Sequence, residues 1–191
     1  MERKLTSYLD IDGYSCGHQL WWGKESYGHH FGCGVIGGLD GLIHQRVVSK
    51  PRVGQWDYMT LADELWNDMR PNTGLFHNTP RTSYTGKAGI GVYSLNRFKK
   101  GITKFANRYG YDLYFQTLMN LSWMNWYRSS DNFDAAMDFI ETSLKKNQQI
   151  HLLSWRDRGN PYEFHWITIV GIEVKGAVVE VIIMTWGTEV K

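Results

Sequence analysis

Residues 28–38 have the sequence Gly-His-His-Phe-Gly-Cys-Gly-Val-Ile-Gly-Gly, which places Cys33 between two glycines at the start of an apolar segment. From Gly32 to about Val48 the apolar residues recur at helical spacing, and this pattern predicts a helix that begins beside the cysteine. The unpaired N–H groups at a helix start favour a thiolate, and they can also bind negative charge that develops on a carbonyl oxygen. The two glycines would let a substrate carbonyl approach the backbone closely. Cys33 is therefore the first candidate nucleophile.

A cysteine nucleophile needs a base, and the chain contains seven histidines. His165 is the best placed, because it begins a predicted strand just after the turn signal at residues 159–161. A side chain at that position can project from the end of the sheet into a cleft. Both residues also have a structural interpretation, Cys33 as a buried core thiol and His165 as a core histidine bonded to the backbone.

The rest of the pattern predicts helices first and strands afterwards. Three further helices are expected: one that begins near Thr60 and ends before Pro71, one from a capping Ser94 to Gly110, and one from about Asp131 to Lys146. An irregular loop is expected over residues 71–91. Apolar and β-branched runs separated by turn signals then predict antiparallel strands at residues 150–155, 164–174 and 177–186. This order predicts an α+β fold in which N-terminal helices pack against a C-terminal antiparallel sheet.

Composition limits the class of protein. The chain has 191 residues, of which 42% are hydrophobic and 21% are charged, and this predicts a single globular domain over residues 1–191. No apolar run approaches the roughly 18 to 20 residues of a membrane span, and no secretory signal is evident, so a cytoplasmic location and reduced cysteines are expected. A net charge of +2 does not indicate nucleic acid or a membrane surface as the partner. The oligomeric state is left open.

The order of these elements resembles the papain-like cysteine peptidases, most closely the bacterial C39-like branch. The resemblance covers residues 13–187 and rests on the Gly-Cys-Gly helix start, on the strand His165-Trp-Ile-Thr-Ile-Val-Gly, and on Thr185-Trp186-Gly187-Thr188 after the next strand. It implies a papain-like fold with Cys33 as nucleophile and His165 as general base, acting on an amide or related acyl bond. The implied activity is that of a peptidase or amidase with a covalent acyl-thioester intermediate and no metal or organic cofactor.

The chain departs from the family pattern at two positions. Where the family has an Asn or Asp that orients the histidine, this sequence has Met184 followed by Thr185. This departure leaves three alternatives: Thr185 orients the histidine, a Cys–His dyad works without a strong orienting group, or the site has lost hydrolysis. The family's oxyanion glutamine lies some six residues before the cysteine, where this chain has Tyr27. The nearest glutamine, Gln19, is the candidate for this role, and it reaches the cleft only if the loop containing residues 21–23 folds back.

The resemblance also implies an aromatic groove for a peptide or amide substrate. The residues expected to contact substrate are Trp21, Trp22, Gly32, Gly34 and Trp186. If hydrolysis has been lost, the same groove would bind peptide without cutting it.

Three alternatives use other residues. Cys16, with His18 nearby, is a competing nucleophile, although no apolar helical run follows it. His29, His30 and Cys33, completed by Cys16 or His18, would form a zinc site, but their spacing is not a standard zinc signature. The predicted helix after Ser94 carries five cations: Arg97, Lys99, Lys100, Lys104 and Arg108. They suggest a nucleic-acid-binding regulator, although a solvated helix face is the more ordinary interpretation.

Overall fold

The computed structural model describes residues 2–5, 9–48, 53–71, 79–86, 91–118, 130–154, 161–162 and 164–191. The described residues form five α-helices, one short 3-10 helix and five strands, and all of the helices lie between the first and the second strand. The helices are α1 (Tyr27–Phe31), α2 (Cys33–His44), α3 (Gln55–Met69), α4 (Leu95–Arg108) and α5 (Ser130–Lys145), and a short 3-10 helix covers Gln19–Trp22. The strands are β1 (Glu2–Lys4), β2 (Ile150–Ser154), β3 (His165–Lys175), β4 (Val178–Thr185) and β5 (Thr188–Val190).

All strand pairs are antiparallel, and β3 is the central strand of the sheet. One edge of β3 pairs with β4, which pairs in turn with β5. The other edge is shared: β2 pairs with residues 165–169 of β3, and β1 pairs with residues 171–173. β3 is therefore paired on both edges between Thr168 and Glu173, whereas His165 is paired on the β2 edge only.

The buried hydrophobic residues form two clusters. The larger one joins α2, α3 and α4 and includes Trp166 of β3, whose ring stacks on Phe98 at a centroid distance of 4.1 Å. The smaller one joins the strands to Leu144 of α5. Helix α2 lies between the other helices and β3, so the start of α2 is fixed against the first residues of β3.

The structure confirms the predicted α+β class, with helices packed on an antiparallel sheet. Helix α4 begins after Ser94, whose Oγ accepts the Arg97 N–H at 3.2 Å, and Gly110 follows its end with φ of 81°. Helix α3 begins five residues before the expected Thr60, because its cap comes from a distant residue: Asp12 Oδ2 accepts the Gln55 N–H at 2.7 Å. Periodicity along one segment does not reveal such a cap.

Four short elements were not predicted: α1, the 3-10 helix, β1 and β5. Each has five residues or fewer, which is too short for a periodic pattern to develop. The predicted loop at residues 71–91 and the turn at residues 159–161 lie partly outside the described residues. Among the helices described, none combines the length and the apolar character needed to cross a membrane.

Candidate active site

A small cavity of about 20 Å³ lies between the start of α2, the start of β3 and the end of β4. Four groups singled out by the sequence line it together, although they come from distant parts of the chain: the Cys33 thiol, the His165 imidazole, the Thr185 hydroxyl and the Gln19 amide. Its other lining residues are Cys16, Gly17, Ile36, Gly37, Asp40, Trp166, Thr168, Met184 and Trp186.

Cys33 is the first residue of α2 and is half-buried. The nearby backbone N–H groups of Trp166, Gly34 and Cys33 itself each lower the pKa of the thiol. Burial acts in the opposite direction and is the larger effect, so the pKa of Cys33 is raised. The helix start supplies the expected N–H donors, but it does not supply the low thiol pKa expected from the sequence.

His165 is buried at the first position of β3. Its backbone N–H donates to the Tyr162 carbonyl at 3.1 Å, and its ring Nε2 is hydrogen-bonded to Thr185 Oγ1 at 2.7 Å. Burial lowers the pKa of His165 to about 4, so the imidazole is neutral near pH 7. With the thiol pKa raised and the imidazole pKa lowered, both groups rest in their uncharged forms.

Thr185, the last residue of β4, is the group that holds the imidazole. Trp186 follows with φ of 47°, and its ring lies against the His165 ring at a centroid distance of 4.7 Å. The Tyr162 ring stacks on Trp186 in turn, at 5.7 Å. An indole over the imidazole keeps water from the hydrogen bond beneath it, which strengthens that bond.

Gln19 reaches the cavity from the 3-10 helix. Its Nε2 donates to the His29 carbonyl at 2.6 Å, and the preceding His18 caps the same helix by accepting the Leu20 N–H at 3.2 Å. The loop between Gln19 and Cys33 therefore folds back, as the assignment of Gln19 requires. Tyr27, at the family's usual glutamine position, is fully buried in the core.

Trp22 was expected in the substrate groove, and this expectation is wrong. Its ring is buried beneath α1, its Nε1 donates to Asp63 Oδ1 at 2.6 Å, and it packs edge-on against Trp66. Trp21 is half-buried between the Tyr14 and Tyr58 rings and is not among the residues that line the cavity. Of the three tryptophans, only Trp186 lies at the cavity.

The glycines beside Cys33 serve packing rather than the approach of substrate. A Cβ on Gly32 would lie 2.2 Å from the Trp22 ring, and a Cβ on Gly34 would lie 2.9 Å from Val92. Neither glycine lines the cavity. The small residues let α2 begin in close contact with its neighbours, and this fixes the position of Cys33.

Cys16, the competing nucleophile, lines the same cavity but in a different environment. It is 1% exposed, and its Sγ lies 3.9 Å from the Thr188 carbonyl oxygen. Burial and the nearby Asp40 carboxylate both raise the pKa of its thiol. Its proposed base His18 is not among the lining residues and already accepts the Leu20 N–H.

The zinc and nucleic-acid alternatives gain no structural support. Within the described ranges, no three His, Cys, Asp or Glu side chains are grouped closely enough to hold a metal ion. On α4, Lys104 and Arg108 pair with Asp68, whose side chain is 3% exposed, and Arg97 donates to the Arg70 carbonyl. These cations join α4 to α3 and the segment after it.

Sequence reasoning missed Asp40 and the part that Cys16 plays in this cavity. Asp40 is 2% exposed, and it lines the cavity from a position seven residues after Cys33 on α2. A signal was present in the sequence: Asp40 is the only charged residue in the otherwise apolar segment from Cys33 to Ile43. A lone carboxylate on a buried helix must find donors, which is typical of a functional or organising position.

Comparisons with protein-family models, with curated proteins and with solved structures found no match to this chain.

Proposed function

We propose that the chain is a cysteine-dependent hydrolase of papain-like fold, similar to the bacterial C39-like peptidases, that cleaves a peptide or amide bond. One observation carries the proposal: Cys33 and His165, far apart in sequence, line one cavity together with Thr185 and Gln19. A nucleophile, a base, a group that orients the base and an amide donor are the parts that acyl transfer requires.

The reaction would begin from the neutral pair. With the imidazole Nε2–H donated to Thr185, Nδ1 carries a lone pair that can accept a proton. Because burial raises the pKa of the Cys33 thiol and lowers that of His165 to about 4, the imidazole is a weak base for this thiol. The thiol proton therefore passes to His165 only as the sulfur forms its bond to the substrate carbonyl carbon, and the imidazolium then readily gives up this proton.

The negative charge on the carbonyl oxygen would be bound at the start of α2. The Cys33 N–H is one of the orphan donors of the first helical turn. The Gln19 amide nitrogen carries two hydrogens, and one of them is used by the His29 carbonyl. The other is the natural second donor to the oxyanion.

The remaining steps release the amine and then hydrolyse the thioester. The C–N bond breaks, the leaving amine takes the proton from His165, and the acyl group stays on Cys33 as a thioester. Water then attacks the thioester carbon, passes one proton to His165 and on to the sulfur, and releases a carboxylic acid. The net change is amide plus water to acid plus amine, and no redox partner is needed.

The first test uses p-nitrophenyl acetate, because the natural substrate is not identified. We expect a burst of one nitrophenolate per chain and an acetyl group on Cys33 by peptide mass spectrometry. Cys33→Ala should abolish the burst, whereas the matched variant Cys16→Ala should keep it. An unchanged burst in Cys33→Ala would end the nucleophile assignment. A folded protein that binds peptides but leaves Cys33 unmodified would indicate an inactive binding domain instead.

A further inference from the structure

Asp40 is a buried carboxylate with a specific set of donors. Its Oδ1 accepts the Tyr58 hydroxyl at 2.8 Å and the Gly17 N–H at 3.0 Å, and its Oδ2 lies 3.3 Å from the same N–H. Asp40 belongs to α2, Tyr58 to α3 and Gly17 to the segment before the 3-10 helix. One side chain thus ties the segment that leads to Gln19 onto the helix that carries Cys33.

Gly17 fits this contact because it has no side chain. A Cβ at this position would lie 2.0 Å from the Tyr58 hydroxyl oxygen, which leaves no room for any other residue. The Tyr58 hydroxyl also lies 3.2 Å from the Ile36 carbonyl oxygen on α2. Gly17, Asp40 and Tyr58 therefore form a close-fitting contact among three parts of the chain, here called the Asp40 latch.

The path from the latch to the Gln19 amide is short. Only His18 separates Gly17 from Gln19, and His18 is itself fixed as the cap of the 3-10 helix. At the other end, the Gln19 amide is anchored on the His29 carbonyl. Gln19 is thus held at two points: the Asp40 latch holds the backbone before it, and the His29 carbonyl holds its side chain.

We propose that Asp40 is a positioning residue for the hydrolase reaction, acting through Gly17 to hold the Gln19 amide beside the Cys33 sulfur. This rests on the proposed function of Cys33, and it assigns a purpose to a buried carboxylate that the reaction itself does not consume. Asp40 neither attacks the substrate nor carries its proton.

The charge of Asp40 acts on the other cysteine. The carboxylate raises the pKa of Cys16, whereas the pKa of Cys33 is set by burial and backbone N–H groups. The titratable groups around Asp40 are Tyr58 from α3 and Cys16, with Cys33 and His165 also lining the cavity. Removing Asp40 is therefore expected to leave the ionisation of the Cys33 thiol unchanged.

Two reagents separate positioning from reactivity. Acylation of Cys33 by p-nitrophenyl acetate develops an oxyanion, whereas alkylation by iodoacetamide is a displacement at carbon that develops none. We expect Gln19→Ala to slow acylation by about 10²-fold, the usual effect of losing one oxyanion donor. Asp40→Ala should slow acylation by at least about tenfold, because misplaced catalytic groups lose rate steeply. Alkylation of Cys33 should stay within about twofold in both variants, since neither residue sets the thiolate fraction.

The double variant shows whether Asp40 works through Gln19. If it does, Asp40→Ala combined with Gln19→Ala should be no slower in acylation than Gln19→Ala alone. Asp40→Asn should recover most of the rate, because its remaining carbonyl oxygen can still accept the Gly17 and Tyr58 donors. If Asp40→Ala fails to fold by circular dichroism, Tyr58→Phe replaces it, since it removes one latch bond and keeps the ring.

Each outcome decides between the two proposals. Acylation of Cys33 that is equally fast in the wild type and in the latch variants overturns the role of Asp40 and leaves the hydrolase standing. Losses from Asp40 and Gln19 that multiply in the double variant also overturn it, because the two residues then act independently. A wild-type protein in which neither reagent modifies Cys33 overturns the proposed function and the latch with it.

Discussion

The two cysteines share one cavity but differ in exposure and in the groups around each sulfur. Cys33 stands at a helix start, half-buried, with backbone N–H groups around its sulfur. Cys16 is almost fully buried, beside a carbonyl oxygen and the Asp40 carboxylate. Burial raises the pKa of both thiols. The backbone N–H groups of Trp166, Gly34 and Cys33 counteract this at Cys33, whereas at Cys16 only the Gly187 N–H does so and the Asp40 carboxylate raises the pKa further. Reactivity is therefore expected to depend on the backbone around a thiol rather than on its presence in the cavity.

The largest expected effect comes from His165. His165→Ala should slow acylation of Cys33 by p-nitrophenyl acetate by at least about 10²-fold, because a positioned base commonly contributes that much. His151→Gln is the matched control, since His151 is partly buried with its pKa also lowered to about 4 but does not line the cavity. Acylation in the control should stay within about twofold of wild type. Equal losses in both variants would show a general loss of structure rather than a base.

The pH dependence of alkylation compares the two thiols directly. Because burial raises the pKa of Cys33, its thiolate fraction should increase about tenfold per pH unit between pH 6 and 8. Cys16 should react more slowly at every pH, since its side chain is 1% exposed whereas that of Cys33 is half-buried. Iodoacetamide rates at each site, followed by mass spectrometry, measure both profiles. A rate at Cys33 that does not change over this range would indicate a preformed thiolate–imidazolium pair and contradict the neutral resting state.

The smallest effect concerns the hydroxyl that holds the base. Thr185→Val keeps the shape of the side chain but removes the bond to His165 Nε2, and a single hydrogen bond of about 1 kcal/mol corresponds to a loss of roughly fivefold in acylation rate. Thr185→Ser should retain most of the rate, because the hydroxyl remains. Labelling of Cys16 should be the same in both variants. Equal acylation rates in Thr185→Val and wild type would mean that packing against Trp186 alone orients the ring.

Most of the fold and part of the site could be predicted from the sequence. Long amphipathic segments determine their own structure, so α2, α4 and α5 and the three long strands were located from periodicity. Cys33 and His165 were found because a glycine-flanked helix start and a strand end are local signals. Thr185 was found only as a substitute for an expected amide, and its contact with His165 is a property of the folded chain.

The errors have a common physical origin. Trp22 and Trp186 are the same residue type, and only tertiary packing decides that one is buried under α1 and the other covers an imidazole. The glycines around Cys33 were assigned to substrate, but the side chains that leave no room for a Cβ there, Trp22 and Val92, belong to other segments of the chain. Asp40 depends on donors from two other segments. Contacts of this kind leave little trace in a local pattern.

The shared edge of β3 has a consequence for how the protein is made. Residues 2–4 form their hydrogen bonds with residues 171–173, and the imidazole is held by a hydroxyl at position 185. Ribosomes deliver the amino-terminal part first, so α2 emerges with its thiol long before the strand that bears the base. Pairings between such distant segments also form slowly. A nascent chain therefore cannot bring Cys33 and His165 together in this arrangement until residue 185 has been synthesised.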